Sequence, residues 1–137
     1  MTVSLNNKTS FLIYKAVFQK FLAIGEKQMA LPCDEISIAI LPSKQMQTVN
    51  RTYRGTDSPT DVLAFDYGEI LLCPTYIRKK HHLKTMQEVI QKMGELFIHG
   101  LAHIAGYTHE TEEKEREMKA VEEKVMAMVL KEKIFNL

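Results

Sequence analysis

The sequence predicts an α+β fold: a small mixed β-sheet of about four strands covered by helices, with a three-histidine metal site at the C-terminal end of a long helix. Three observations carry that prediction. A strand, a helix and a strand follow one another before residue 41. Two short apolar runs, 61–65 and 69–73, are separated by a turn-sized gap. Beyond residue 85 the apolar residues recur at helical spacing in two long stretches, and the first of these stops at Gly106.

Val3–Leu5 is a short strand. Thr9 or Ser10 is placed to cap a helix running to about Lys27, with Tyr14, Val17, Phe18, Phe21 and Leu22 as its apolar stripe. Pro32 closes that unit, and Ile36-Ser37-Ile38-Ala39-Ile40 reads as a largely buried strand. A strand, helix, strand order with a helix of that length suggests a right-handed parallel crossover. Ser43 opens a short helix to about Tyr53. Asp61–Phe65 and Glu69–Cys73 are two strands, and Asp66-Tyr67-Gly68 is short enough to join them as a hairpin. Pro74 starts another short helix, through about His82.

Thr85-Met86-Gln87-Glu88 has the form of a capping box and begins the long histidine helix. On its polar side Glu88, Lys92, Glu95 and His103 cluster around His99, while Met86, Val89, Ile90, Met93, Phe97, Leu101 and Ile104 lie opposite. Thr111 caps a last helix through about Lys131, with acids Glu112, Glu113 and Glu115 suiting its N-terminal dipole. Met118, Val121, Val125 and Met128 form its apolar stripe.

The 137 residues are expected to form one domain, 1–137, with the apolar and charged content of an ordinary soluble globule, 45% and 26%. No apolar run approaches membrane-spanning length, so no membrane partner is expected. The first residues lack the order of a signal peptide. Cys33 and Cys73 stand in different segments without ligand spacing, which fits a reduced cytoplasmic chain. A net charge of +1 gives no bulk support for a nucleic-acid partner, so any such case rests on local groups.

The chemistry concentrates in His99, His103 and His109. His99 and His103, four apart on a helix, stack on one face with Cβ atoms roughly 6 Å apart and can share one ion at about 2.1 Å each. His109 lies six residues further, roughly 9 Å along a continuing helix axis. The chain must therefore break and fold back, and Gly106 stands where the left-handed turn is needed. Three imidazoles leave a tetrahedral zinc one open position, whereas structural zinc sites are closed by four protein ligands. Water there, with a pKa of about 7, makes hydrolysis the default chemistry. Imidazole also suits nickel or copper.

The ligand spacing equals that of the metzincin proteases, but the position of their catalytic glutamate is Gly100. A peptidase needs that carboxylate to move protons. Glu110 and Glu112 lie near His109, but acids there also suit a solvated helix N-terminus. Phosphodiester cleavage needs an in-line nucleophile and stabilisation of an anionic centre, which a metal and an arginine supply.

The segment His99-Gly100-Leu101-Ala102-His103-Ile104-Ala105-Gly106-Tyr107-Thr108-His109 resembles the His-Gly-x-Leu-His-x-x-Gly-Tyr-Asp-His signature of the YbeY family of ribosome-associated endoribonucleases. The segment Asn50-Arg51-Thr52-Tyr53-Arg54-Gly55-Thr56-Asp57-Ser58-Pro59-Thr60-Asp61-Val62-Leu63-Ala64-Phe65 resembles the family's Asn-x-x-Tyr-Arg-x-x-Asp-x-Pro-Thr-Asp-Val-Leu-Ser-Phe, and Gly68-Glu69-Ile70 follows as a Gly-Asp-Ile-like step. The resemblance implies a single-strand-specific metallo-endoribonuclease acting on single-stranded RNA. Its implied role is maturation of ribosomal RNA, at the 3′ end of the small-subunit rRNA, and ribosome quality control, with the small subunit as partner. It implies one zinc per chain on His99, His103 and His109, and a functional arginine at Arg54 whose planar fork suits a phosphate. The chain departs from the two longer blocks of the pattern at three positions. Thr108 replaces an aspartate able to orient a ligand imidazole, Ala102 replaces a leucine, and Ala64 replaces a serine.

Two other readings stand beside this one: a zinc metallopeptidase-like hydrolase, on ligand spacing, and a non-catalytic ribosome-assembly factor with a structural metal. The basic run Arg78, Lys79, Lys80, His81, His82 and Lys84 is either a track for phosphates or a solvated helix face.

Overall fold

The computed structural model describes residues 1–132. Its elements are β1 (Thr2–Asn7), α1 (Lys15–Gln28), β2 (Glu35–Ile40), α2 (Ser43–Arg54), β3 (Val62–Phe65), β4 (Glu69–Leu72), α3 (Pro74–Lys80), α4 (Met86–Ile104) and α5 (Glu112–Lys131). The four strands form one mixed sheet in the order β1-β2-β4-β3. β1 and β2 pair in parallel across the α1 crossover, β2 and β4 pair in parallel, and β3 and β4 form the antiparallel hairpin. β3 is therefore an edge strand, and that placement makes it a cleft wall.

Side-chain alternation divides the interior between the two faces of the sheet. Ile36, Ile38 and Ile40 of β2, with Ile70 and Leu72 of β4, join the main core beneath α1, α4 and α5. There Phe18, Phe21 and Phe97 pack as a ring cluster, with Phe18 and Phe97 centroids 5.2 Å apart. On the opposite face Leu63 and Leu71 form a smaller core with Leu41, Cys73 and the α2 residue Met46. Cys33 and Cys73 are free thiols.

The caps show how local chemistry sets the element ends. The Thr85 hydroxyl accepts from the Glu88 N–H at 3.1 Å while Glu88 accepts from the Thr85 N–H at 2.9 Å, completing the expected capping box. Thr111 Oγ1 accepts from the Lys114 N–H at 3.1 Å. The first helix departs from expectation. It starts at Lys15, because the Asn7 carboxamide accepts from the Thr9 N–H and hydroxyl and donates to the Phe11 carbonyl. These bonds fold residues 7–11 into a local turn that competes with helix. Tyr14 is accordingly 56% exposed rather than part of the stripe. In α5 Val129 is fully buried, and Met128 packs only at the periphery of the core.

Candidate metal centre and cleft

The three histidines meet. His99 and His103 project from the last turns of α4, and their Nε2 atoms face each other at 3.1 Å. Two nitrogens on one tetrahedral ion, each at about 2.1 Å, stand about 3.4 Å apart. The pair already has that geometry. His109 is returned by the helix stop: the Gly106 N–H donates to the His103 carbonyl and the Tyr107 N–H to the Ala102 carbonyl, with Gly106 at φ +102. That bond pair is a Schellman turn, which needs the left-handed residue that glycine supplies without strain. The His109 ring lies 5.4 Å from the His99 ring and 5.1 Å from the His103 ring. One nitrogen from each of the three lies within 4.8 Å of the others.

A residue that sequence reasoning missed orients one of the rings. Glu122 of α5 accepts a hydrogen bond from His99 Nδ1 at 2.6 Å. With the proton held on Nδ1, the Nε2 lone pair is free to face the other imidazoles. The helical stripe of α5 gave only a weak signal for this: Glu122 follows Val121 at the border between buried and exposed faces. Burial first, and then the neighbouring His99 and His109 rings, push the His103 imidazole below its ordinary range, although Glu122 and a hydrogen bond to the Tyr107 backbone act the other way. A neutral ring is the ligand form. Among the described residues Thr108 makes no such contact; its hydroxyl accepts from the Glu110 N–H at 3.5 Å, within the turn.

The imidazoles open into a cleft of about 640 Å³ between the end of α4 and the β3 edge. Its other walls are Tyr53 and Arg54 from the end of α2, Thr60 and Asp61, and the Val62–Phe65 strand, with Ala64 among the lining residues. Arg54 is exposed and makes no ion pair among the described residues, whereas its neighbour Arg51 is held by Asp57 at 3.5 Å. The loop that follows Arg54 is pinned back onto α2. Asn50 donates to the Ser58 carbonyl at 2.8 Å and Gln47 to Asp57 at 3.1 Å.

Asp61 fastens the loop to α3, taking Lys80 at 3.1 Å, the Val62 N–H at 2.8 Å and His81 Nε2 at an ion-pair distance of 3.5 Å. Burial works to raise its carboxyl, but Lys80, the Val62 N–H and His81 together hold it below the usual carboxylate range. Lys80 of the basic run is thus committed to Asp61, and no member of that run lines the cleft among the described residues.

Gly100 sits between the two α4 histidines for a packing reason. A Cβ at this position would stand 3.0 Å from Ile70 Cδ1 and 3.5 Å from Ala64 Cβ. The helix is seated directly on the β3-β4 hairpin, so any side chain at position 100, the glutamate of a metzincin included, would crowd Ile70 and Ala64.

Comparison with known proteins agrees with this geometry. The model of the family described as Endoribonuclease YbeY matches residues 3–130. The chain belongs to the YbeY family. Among curated YbeY endoribonucleases, that of Paraburkholderia phytofirmans is 34% identical over 83% of this chain and 80% of its own length. That of Bdellovibrio bacteriovorus is 36% identical over 71% and 69%. The solution structure of a Thermotoga maritima protein shares the fold, with a TM-score of 0.57 at 22% identity over 99% of this chain and 97% of that one. YbeY membership accounts for the 50–65 and 99–109 blocks together, because the fold brings them to the two sides of one cleft.

Proposed function

We propose that this chain is a single-strand-specific metallo-endoribonuclease of ribosomal RNA, with His99, His103 and His109 as ligands of one zinc ion and Arg54 at the scissile phosphate. The observation that carries the reading is that the three imidazoles share one cleft with an arginine that no acid engages among the described residues. The donor set fits zinc, since one imidazole nitrogen from each of three histidines converges beside an open cleft. A zinc ion held by these residues would supply an acidified water and positive charge toward a phosphate under attack.

The chain's own groups do the rest. Glu122 holds His99 in the required tautomer and orientation. Arg54 offers a planar fork of donors to the non-bridging phosphate oxygens, which are the atoms that gain charge in the transition state. The β3 edge bounds the path of the strand. Gly100 weighs against the peptidase reading, because the position that would carry a proton-shuttling carboxylate has no side chain and is crowded by Ile70. The open fourth position weighs against a purely structural metal.

Within this reading the substrate is ribosomal RNA, processed at the 3′ end of the small-subunit rRNA and during ribosome quality control, in the cytoplasm. No helix among the described residues is long and apolar enough to cross a membrane. The test is cleavage of single-stranded RNA by zinc-loaded protein, with His103→Ala and Arg54→Ala as controls. Loss of cutting in both variants is expected. Cutting that persists in both betrays a contaminating nuclease and removes the assignment.

A further inference from the structure

Three aromatic rings make a continuous ladder along the rim of the metal cleft. Tyr53 and Phe65 stand 5.3 Å apart, edge to face, and Phe65 and Tyr67 stand 5.6 Å apart, nearly parallel at 22°. Tyr53 and Tyr67 are each 68% exposed, among the most exposed large hydrophobic side chains described. Each rests on Phe65 and leaves much of its surface to water. The core does not need these rings: Phe65 packs at the margin of the smaller core, and the two tyrosines lie outside both clusters.

Their position gives them a use. Tyr53 and Phe65 line the metal cleft and also a second groove, of about 340 Å³, that continues past Tyr67 toward Asn6 and Lys8 on the α2 side of the sheet. The ladder is the saddle between the two. Arg54 stands beside it in sequence at one end, and at the other Lys8 is exposed and makes no ion pair among the described residues. The saddle itself carries Glu69, which accepts from the Tyr67 hydroxyl at 3.3 Å, so it is not a surface that attracts phosphates. What it offers is ring faces.

We propose that Tyr53, Phe65 and Tyr67 are a base-stacking platform that seats the unpaired nucleobases next to the phosphate held in the cleft, with the strand continuing over the saddle toward Lys8. This rests on the ribonuclease reading and names how the substrate is recognised. Every base has a π-face, so the platform is tolerant of sequence. Bases in a duplex are already stacked on each other and cannot lie on it. The platform therefore selects single strands by the state of the bases, while Arg54 and Lys8 address the backbone that both forms share.

The experiment is binding of a short fluorescent oligouridine to the full chain, by anisotropy, alongside cleavage of the same RNA by the zinc-loaded protein. Tyr67→Ala is expected to weaken binding by roughly five- to 150-fold, the loss of one base–ring stack. Tyr67→Phe keeps the ring and should bind like wild type. An abasic oligomer of the same length should bind wild type and Tyr67→Ala alike, because it has phosphates and no bases. Zinc affinity and thermal midpoint should not change with Tyr67→Ala, since the side chain is exposed. If that variant folds poorly, Tyr67→Leu keeps an apolar side chain without the ring and should show the same loss.

The platform is overturned if Tyr67→Ala or Tyr67→Leu binds and cuts the oligouridine as well as wild type. It is also overturned if the abasic oligomer loses as much affinity as the uridine one. Wild-type protein that neither binds nor cuts single-stranded RNA removes the ribonuclease reading itself, and the platform with it.

Discussion

The hydrogen bond from His99 Nδ1 to Glu122 can be tested by removing its acceptor. The bond is 2.6 Å long, and the two side chains are 30% and 25% exposed. A short bond to a carboxylate in a half-dry setting is among the stronger kinds. Loss of such a partner to a metal-binding histidine lowers metal affinity about 10- to 100-fold, or about 1.4–2.7 kcal/mol. Here water can reach the vacated Nδ1, which places Glu122→Ala toward the lower bound, about 10-fold. Glu122→Gln keeps an acceptor oxygen without its charge. Neutral bonds are about half as strong as charge-assisted ones, so roughly threefold is expected.

Alanine at position 122 suits α5, so the fold should persist. Competition for zinc against a chromophoric chelator at neutral pH measures all three proteins. Nitrogen chemical shifts of the His99 ring report its tautomer independently. If Glu122→Ala binds zinc as tightly as wild type, with His99 still protonated on Nδ1, the orienting role is wrong.

Other expectations follow from the same geometry. Arg54→Ala should lower the single-turnover cleavage rate about 10²- to 10³-fold while leaving zinc affinity unchanged, and Arg54→Lys should restore little of it because a point charge replaces a fork. Gly100→Ala should destabilise the fold in urea titration, since a methyl at 3.0 Å from Ile70 Cδ1 overpacks the seam. The expected cost is about 1–3 kcal/mol, less up to about 1 kcal/mol regained from helix propensity. Ile70→Val removes that Cδ1, and Gly100→Ala should cost less in its background. Asp61→Asn should lower stability at neutral pH by about 1–3 kcal/mol. Because the Asp61 carboxyl is held below its usual range when folded, its contribution is present above the unfolded pKa of about 3.9 and is lost as pH falls through the folded value. The stability gap between Asp61→Asn and wild type, followed by thermal melts across pH, should therefore narrow in acid and widen toward neutrality.

What the sequence by itself determined is local. The spacing of His99 and His103, the Thr85–Glu88 cap, the Thr111 cap and the stop at Gly106 depend on residues within a turn of one another, where helix geometry leaves few choices. Even locally a competitor can win, as the Asn7 turn did over the expected Thr9 or Ser10 cap. The family blocks marked Arg54 and the histidines, but not how they face each other. Tertiary structure decided that Glu122, 23 residues along the chain from His99, is the partner of its ring. It also decided that Lys80 is spent on Asp61 rather than on the cleft, and that Gly100 is a seat for Ile70. The α2 end and the hairpin likewise met there to line up three aromatic rings. The physical reason is range: capping and periodicity act over one helical turn, whereas these contacts exist only once the sheet and helices have packed and fixed which distant side chains share a wall.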